Sequence, residues 1–391
     1  MTVSLDPRYT RRSAMDAPSP PRWSSCIAGR PQPGPGPGGA FVLGALPGEG
    51  ACPAIVDASL AILATVLADG PARVEVRRYD GPSCADGRCG EPTAAFCASV
   101  FAAGGAVLAG AMSGRFVYEL RRRFRLFCKI SPVVVWHELA EAGRLRSESV
   151  RGLDILLVRE NASGLYQGEW TESRSPEAGR VVEHRFCYAE REVLAILDAA
   201  ATMASRRRGG LAVVVKEGGV PGISRLWRDC AETVGRAHGL RPRLLNVDYA
   251  AYCLVQEPAA FDVVVAPNLF GDMLADLGGV LLGSRALTFS GNFAADAAAV
   301  YQTNHGAAVD LAGTDRVNPA GQLLSLAMLL RESFGLAREA RLVESALREV
   351  WRAGFSTPDL NLPGTRVVGT RELCERVAEA ARRLAAEDPS P

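Results

Sequence analysis

A chain of 391 residues with a formal net charge of +1 has no bulk field to draw it to nucleic acid or an anionic membrane. Its 48% apolar and 22% charged content fit a globular protein of roughly two or three domains with a large core. Ten cysteines are scattered. Cys84 and Cys89 lie close, but no second pair or histidine cluster completes a zinc pattern, so reduced thiols in a cytoplasm are expected.

Residues 1–38 are rich in Pro, Gly, Ser and Arg, end in PQPGPGPG and contain no apolar secretion core. They are expected to form a disordered extension. Structure should start with the strand FVLGAL, followed by the turn PGEG and a helix over 53–67 with proline in its first turn. A strand is expected at 73–78. The run of small and apolar residues over 95–114 reads as a helix leading into a buried strand at 106–108 rather than a membrane span. Helices follow at 116–124, 189–206, 224–238, 322–333, 340–353 and 371–385. Strands fall at 133–136, 155–158, 211–215, 244–247 and 263–266. This alternation predicts an α/β fold with a largely parallel sheet.

Several polar residues stand at the ends of the apolar strands. In FDVVVAPNLFGDMLADL a β-type run ends in Asn268, and a helix opens carrying Asp272 and Asp276. Four residues apart, the two carboxylates share a helix face, at the strand end where open α/β sheets bind ligands. The pair suits a hard divalent cation, and it also suits an exposed acidic helix start. In DILLVRENASGLYQGEW, Arg159 follows a strand and Tyr166 lies seven residues on. A guanidinium there offers a planar grip on a carboxylate, and a phenol beside it is a candidate general acid. Lys216 ends another strand in LAVVVKEGGVPGISRLWRD.

These segments resemble, in order, those of the β-decarboxylating hydroxyacid dehydrogenases, the isocitrate and isopropylmalate dehydrogenase family. NLFGDMLAD is similar to the family's NLFGDILSD, and VRENASGLYQGE to VRELTGGIYFGE. YELRRRFRLFCKISP resembles LLxLRxxLxLFANLRP, with Arg121 on its first substrate-binding arginine. LLNVDYAAYCLVQEP resembles VDAAAMQLVxxP through Asp248. NHGAAVDLAGTDRVNP resembles HGSAPDIAGKGIANP through His305, Gly306, Asp310, Gly313 and Asn318, with Ala307 replacing the usual serine and Gln302 the usual glutamate. The closing TPDL and VGTREL also match.

The resemblance implies the family's two-domain fold. An outer cofactor-binding domain takes 39–126 and 283–391. An inner catalytic and dimer-forming domain takes 127–282. It implies a homodimer with shared sites, in which Tyr166, Lys216 and Asp248 are catalytic and the last two reach across from the partner. Arg121 and Arg159 bind substrate, Val117 and Tyr118 read its variable substituent, and Asp272, Asp276 and the partner's copy of Asp248 hold Mg²⁺ or Mn²⁺. NAD lies on the 305–318 segment, where the Asp310 carboxylate suits a ribose diol and repels a 2′-phosphate. The implied reaction is oxidative decarboxylation of a 3-substituted malate-like 2-hydroxy acid. The chain departs from the pattern at Ser131, which replaces the second arginine, and at Lys129, which replaces an asparagine. Both changes point to a substrate of specialised metabolism. A catalytically inactive regulatory subunit is the alternative reading.

Overall fold

The computed structural model describes residues 22–32, 34–36, 38–68, 70–81 and 87–387. It opens with β1 (Phe41–Leu46), α1 (Cys52–Leu67), β2 (Val74–Arg78), α2 (Glu91–Ala102), β3 (Ala106–Ala109) and α3 (Phe116–Arg123). Next come β4 (Cys128–Val134), the short α4 (Ser147–Val150), β5 (Asp154–Glu160), and a hairpin of β6 (Glu169–Ser175) with β7 (Gly179–Arg185). The middle of the chain continues through α5 (Glu190–Ser205), β8 (Leu211–Val215), α6 (Pro221–His238), β9 (Arg243–Asn246), α7 (Val247–Gln256), β10 (Val263–Ala266) and α8 (Asn268–Leu281). The last part holds β11 (Phe289–Phe293), β12 (Ala299–Thr303), α9 (Ala320–Leu329) and α10 (Ala337–Arg352). A minor pairing of β13 (Phe355–Ser356) with β14 (Arg366–Val367) and then α11 (Thr370–Glu387) end it.

Ten strands form one sheet in the order β2-β1-β3-β12-β11-β4-β5-β10-β8-β9. The expected α/β fold with a largely parallel sheet is present. The apolar runs of β8 and β10 are buried throughout, as parallel strands covered on both faces require. Two parallel halves meet through three antiparallel pairings, β12 with β11, β11 with β4, and β4 with β5. The sheet is therefore continuous through both segments assigned to separate domains. Those boundaries fall just before β4 and just after α8.

Some elements differ from expectation for identifiable reasons. β4 starts at Cys128 rather than 133, because Lys129 and Ser131 interrupt its apolar pattern yet are buried. The hairpin β6–β7 was not expected, since its residues are mostly exposed and show no apolar face. α7, β11 and β12 were also missed.

The extension over 1–38 needs a larger correction. Residues 1–21 lie outside the described residues. Beyond them, Trp23–Cys26 forms a 3-10 turn, and Trp23, Cys26 and Ile27 are buried in the main core. The backbone amides of Trp23 and Ser24 donate to the buried Glu332 carboxylate at 3.1 and 2.8 Å. Arg30 donates to the carbonyls of Ala294, Ala297 and Ala298 at 3.0–3.1 Å and lies 5.0 Å over the Phe293 ring. Arg207 lies 5.2 Å over Trp23. Three well-placed anchors hold this segment despite its composition. Among the described residues, no helix is long and apolar enough to cross a membrane.

Candidate active site

The register of β4 against β5 sets the site. Lys129 lies directly opposite Arg159, so both side chains leave the same face of the sheet. Ser131, two residues on, shares that face. α3 brings Arg121 to the same place. All three cations are at most 4% exposed. Burial, then Arg159, pushes the Arg121 guanidinium down to about 9. Burial, then Arg121 and Arg159, holds Lys129 well below the ordinary lysine range. Among the described residues, neither Arg121 nor Lys129 has a hydrogen bond or ion-pair partner on its side chain. Such a cluster favours an anion, because buried like charges are costly until compensated.

α8 supplies the opposing wall. Its glycine at 271 lets the helix approach closely, since a Cβ there would stand 2.8 Å from Cβ of Arg159. Asn268, at the helix start, accepts from Nε and Nη2 of Arg159 at 3.1 and 2.8 Å. Arg159 Nη1 pairs with Asp272, one turn on. Burial works to raise the Asp272 pKa, but Arg159, Lys129, the Tyr166 hydroxyl and Arg121 outweigh it and hold the carboxyl below its usual range. Tyr166 sits in the 3-10 turn Leu165–Gln167, with Arg159 5.5 Å over its ring and the Tyr118 ring 5.1 Å away. Burial, the Asp272 charge and the hydrogen bond to Asp272 push its phenol up to about 12. It is thus a protonated donor at neutral pH.

The structure brings Arg121, Lys129, Ser131, Arg159, Tyr166 and Asp272 together, with Tyr118 beside them. Val117 is half-buried on α3 next to Tyr118. Asp276 is one turn further along α8 and pairs with Arg285 at 3.0 Å. Lys216 and Asp248 lie elsewhere on the chain and pair with each other at 2.8 Å. Among the described residues, no three His, Cys, Asp or Glu side chains converge within one chain. Asp248 does not join Asp272 and Asp276 from its own subunit.

The segment after β12 lies alongside. Asn304 Nδ2 donates to Ser131 Oγ at 3.2 Å. His305 Nδ1 meets the Gly306 carbonyl at 2.8 Å, while its Nε2 is buried with no partner among the described residues. Burial holds that imidazole below its usual pKa. The Ala307 carbonyl accepts from the Ala51 amide at 3.0 Å, and Asp310 is exposed on a short 3-10 turn. Gly313 takes a positive φ of 72°. Asn318 is buried and donates to Asp359 at 3.1 Å. Gln302 is buried on β12. Sequence reading missed the parts played by Asn268, Asn304 and Asp359. Their only signal was a polar side chain at the end of an apolar strand or in a short turn.

Residues 42–377 match the family model described as isocitrate/isopropylmalate dehydrogenase. The chain belongs to the isocitrate/isopropylmalate dehydrogenase family. The 3-isopropylmalate dehydrogenase of Heyndrickxia coagulans is 34% identical over 359 residues, covering 88% of this chain and 97% of that protein. The 3-isopropylmalate dehydrogenase of Moorella thermoacetica is 38% identical over 259 residues, covering 66% and 72%. Among solved structures, isocitrate dehydrogenase from Methylococcus capsulatus matches with a TM-score of 0.77 at 26% identity, over 88% of this chain and 99% of that one. The family match begins at residue 42, so the packed segment around Trp23 lies outside it.

Proposed function

We propose that this dehydrogenase-family chain oxidises and decarboxylates a 3-substituted malate-like 2-hydroxy acid, using NAD⁺ and Mg²⁺ or Mn²⁺. One observation carries the reading. Arg121, Lys129 and Arg159 are buried around Asp272 and Tyr166, which leaves an excess of positive charge suited to a dicarboxylate. Arg121 and Arg159 would bind the two carboxylates and Tyr118 would flank the substituent together with Val117.

Asp272 and Asp276 present hard oxygen donors at helical spacing, and with Asp248 from a second copy they would hold a divalent cation. A cation held by these carboxylates would supply Lewis acidity toward the oxygens of a bound 2-hydroxy acid. The His305–Asn318 segment fits a dinucleotide, with an orphaned buried His305 Nε2, the exposed Gly306 beside Ala307, and the Asp310 carboxylate free to meet a ribose diol. A dinucleotide held there would supply the hydride acceptor. Lys216 from the second copy would stabilise the hydroxyl oxygen as it loses its proton. Tyr166, held protonated, would deliver a proton to the carbon vacated by CO₂.

A homodimer fits the surface. Tyr249 and Tyr252 on α7 are 57% and 62% exposed and stack on each other, and Met273 and Val280 on the adjacent α8 are also exposed. Such a patch is characteristic of an interface. We retain the outer domain of 39–126 and 283–391 and the inner domain of 127–282 as the working division.

The test is a screen of 3-substituted malates with purified protein, Mn²⁺ and NAD⁺ or NADP⁺, following nucleotide reduction. Reduction of NAD⁺ faster than NADP⁺, with release of CO₂, is expected. Absence of reduction with every acid would overturn the reading.

A further inference from the structure

Lys129 is a buried charge without compensation. It is 3% exposed on β4, and among the described residues its ammonium has no hydrogen bond or ion pair. On one side it faces Asn292 of β11, whose Nδ2 donates to the Val300 carbonyl at 3.0 Å and whose Oδ1 accepts from Asn161 at 3.0 Å. On the other side it faces Arg159 of β5, itself a buried cation. Asp272 is engaged by Nη1 of Arg159. A guanidinium has five N–H donors and an ammonium three. Arg159 commits one from Nε and one from Nη2 to Asn268 and one from Nη1 to Asp272, so two remain. All three of Lys129 remain. Ser131, opposite Leu157, leaves the same face of β4 two residues on, about 6.6 Å along the strand.

We infer that Lys129 is a substrate anchor, whose ammonium joins Arg159 on one of the two carboxylates and stands in for the arginine that the family carries at position 131. This rests on the dehydrogenase reading. The cation has moved along one face of one strand, to the place directly opposite Arg159, and its flexible four-carbon stem gives it reach. It binds as a point charge rather than as a planar fork, so the carboxylate is oriented by Arg159 and neutralised by Lys129. A buried cation kept for a ligand destabilises the empty protein and strengthens the bound one. An anchor and a merely structural lysine therefore differ in sign. Removing the charge of an anchor stabilises the ligand-free chain and weakens binding, whereas removing a structural lysine destabilises the chain.

The experiment compares wild type, Lys129→Met, Lys129→Arg and the paired exchange Lys129→Asn with Ser131→Arg. Tm is measured without ligand, Kd for 3-isopropylmalate by calorimetry with Mn²⁺, and kcat/KM with NAD⁺. Lys129→Met keeps an unbranched chain and loses the charge. It should melt a few degrees above wild type and bind the acid about tenfold or more weakly. The paired exchange returns a cation to the same face and should recover most of the lost affinity. Lys129→Arg keeps the charge in place and should bind far more tightly than Lys129→Met, and it carries this arm if the paired exchange does not fold. A Lys129→Met chain that melts lower or fails to fold, or one that binds the acid as wild type does, overturns the anchor, while wild-type turnover leaves the dehydrogenase reading intact. Folded charge-bearing variants that bind no better than Lys129→Met also overturn it. Failure of wild type both to bind the acid and to reduce NAD⁺ overturns that reading for such acids, and this inference with it.

Discussion

One carboxamide oxygen of Asn268 receives two nitrogens of Arg159, at 3.1 and 2.8 Å. The amide nitrogen of Asn268 donates to the Ser163 carbonyl at 2.6 Å, and its backbone amide donates to the Tyr188 hydroxyl at 2.9 Å. Asn268 is fully buried, so bulk water does not compete for these groups. The guanidinium is thereby turned so that Nη1 faces Asp272.

Replacing Asn268 with leucine keeps the branched shape and the number of side-chain heavy atoms and removes the lock. Hydrogen bonds to charged groups contribute about 1.5–3 kcal/mol. The acid's KM should rise about tenfold or more. Unfolding should move by less than deletion of Arg159 itself would cause. An unchanged KM in a folded variant would show that Arg159 orients itself without Asn268.

Glu160 predicts a pH dependence of stability. Burial raises its pKa to about 7, working against the amides of Ala162 and Ser163 that donate to it, and Glu192 adds to the rise. The folded state therefore binds more protons than the unfolded state between the ordinary glutamate value and about 7. Its stabilising contribution is fully present below the unfolded pKa and is lost as pH rises through the folded one. Glu160→Gln keeps an acceptor for both amides and should flatten the stability profile across that window. Equal slopes for variant and wild type in denaturant titrations would refute it.

The segment around Trp23 should be needed for stability. Deleting residues 1–31 strips two amide donors from the buried Glu332 carboxylate and uncovers the core against Trp23 and Ile27. A loss of about 3 kcal/mol or more is expected from the orphaned carboxylate and the apolar surface together. Glu332→Gln should cost less, because it still offers an acceptor without a buried charge. Thermal melts of the two variants give the comparison, and an unshifted Tm for the truncation would deny the segment this role.

Shared active sites predict complementation. Chains carrying Tyr166→Phe and chains carrying Lys216→Ala should each be inactive alone. In mixed dimers one site has both defects and the other has neither. Co-expressed heterodimers should recover up to half the wild-type rate per dimer. Purified heterodimers without activity would refute the idea that Lys216 crosses between subunits.

The sequence was most legible where chemistry and periodicity coincide. The run 263–266 followed by Asp272 and Asp276 fixed a strand, a helix and the wall of the site together, and the spacing of Arg159 and Tyr166 brought both beside Asp272. It was least legible where tertiary packing overrides local pattern. Lys129 and Ser131 look like loop residues, yet they are buried, because β5 pairs with both and β11 pairs with Lys129 from the other side. Trp23 and Ile27 sit in a segment whose composition argues against order, and a few specific long-range contacts decide the outcome. The Asn304–Ser131 contact joins residues far apart in sequence, so neither neighbourhood announces it.

The strand order also governs how the chain is assembled. β3 pairs in parallel with β12, aligning Val107 with Val300, and β4 is flanked by β11, which is made only after the whole middle of the chain. During synthesis, β1, β2 and β3 can associate early, but the free edge of β3 has nothing to pair with until Thr303 has left the ribosome. An open apolar edge is a template for the wrong neighbour, and long loops must close before its proper pairing gives any return. Full occupancy of the centre of the sheet is therefore a late event, and the residues that gather beside β4 acquire their geometry only at that last step.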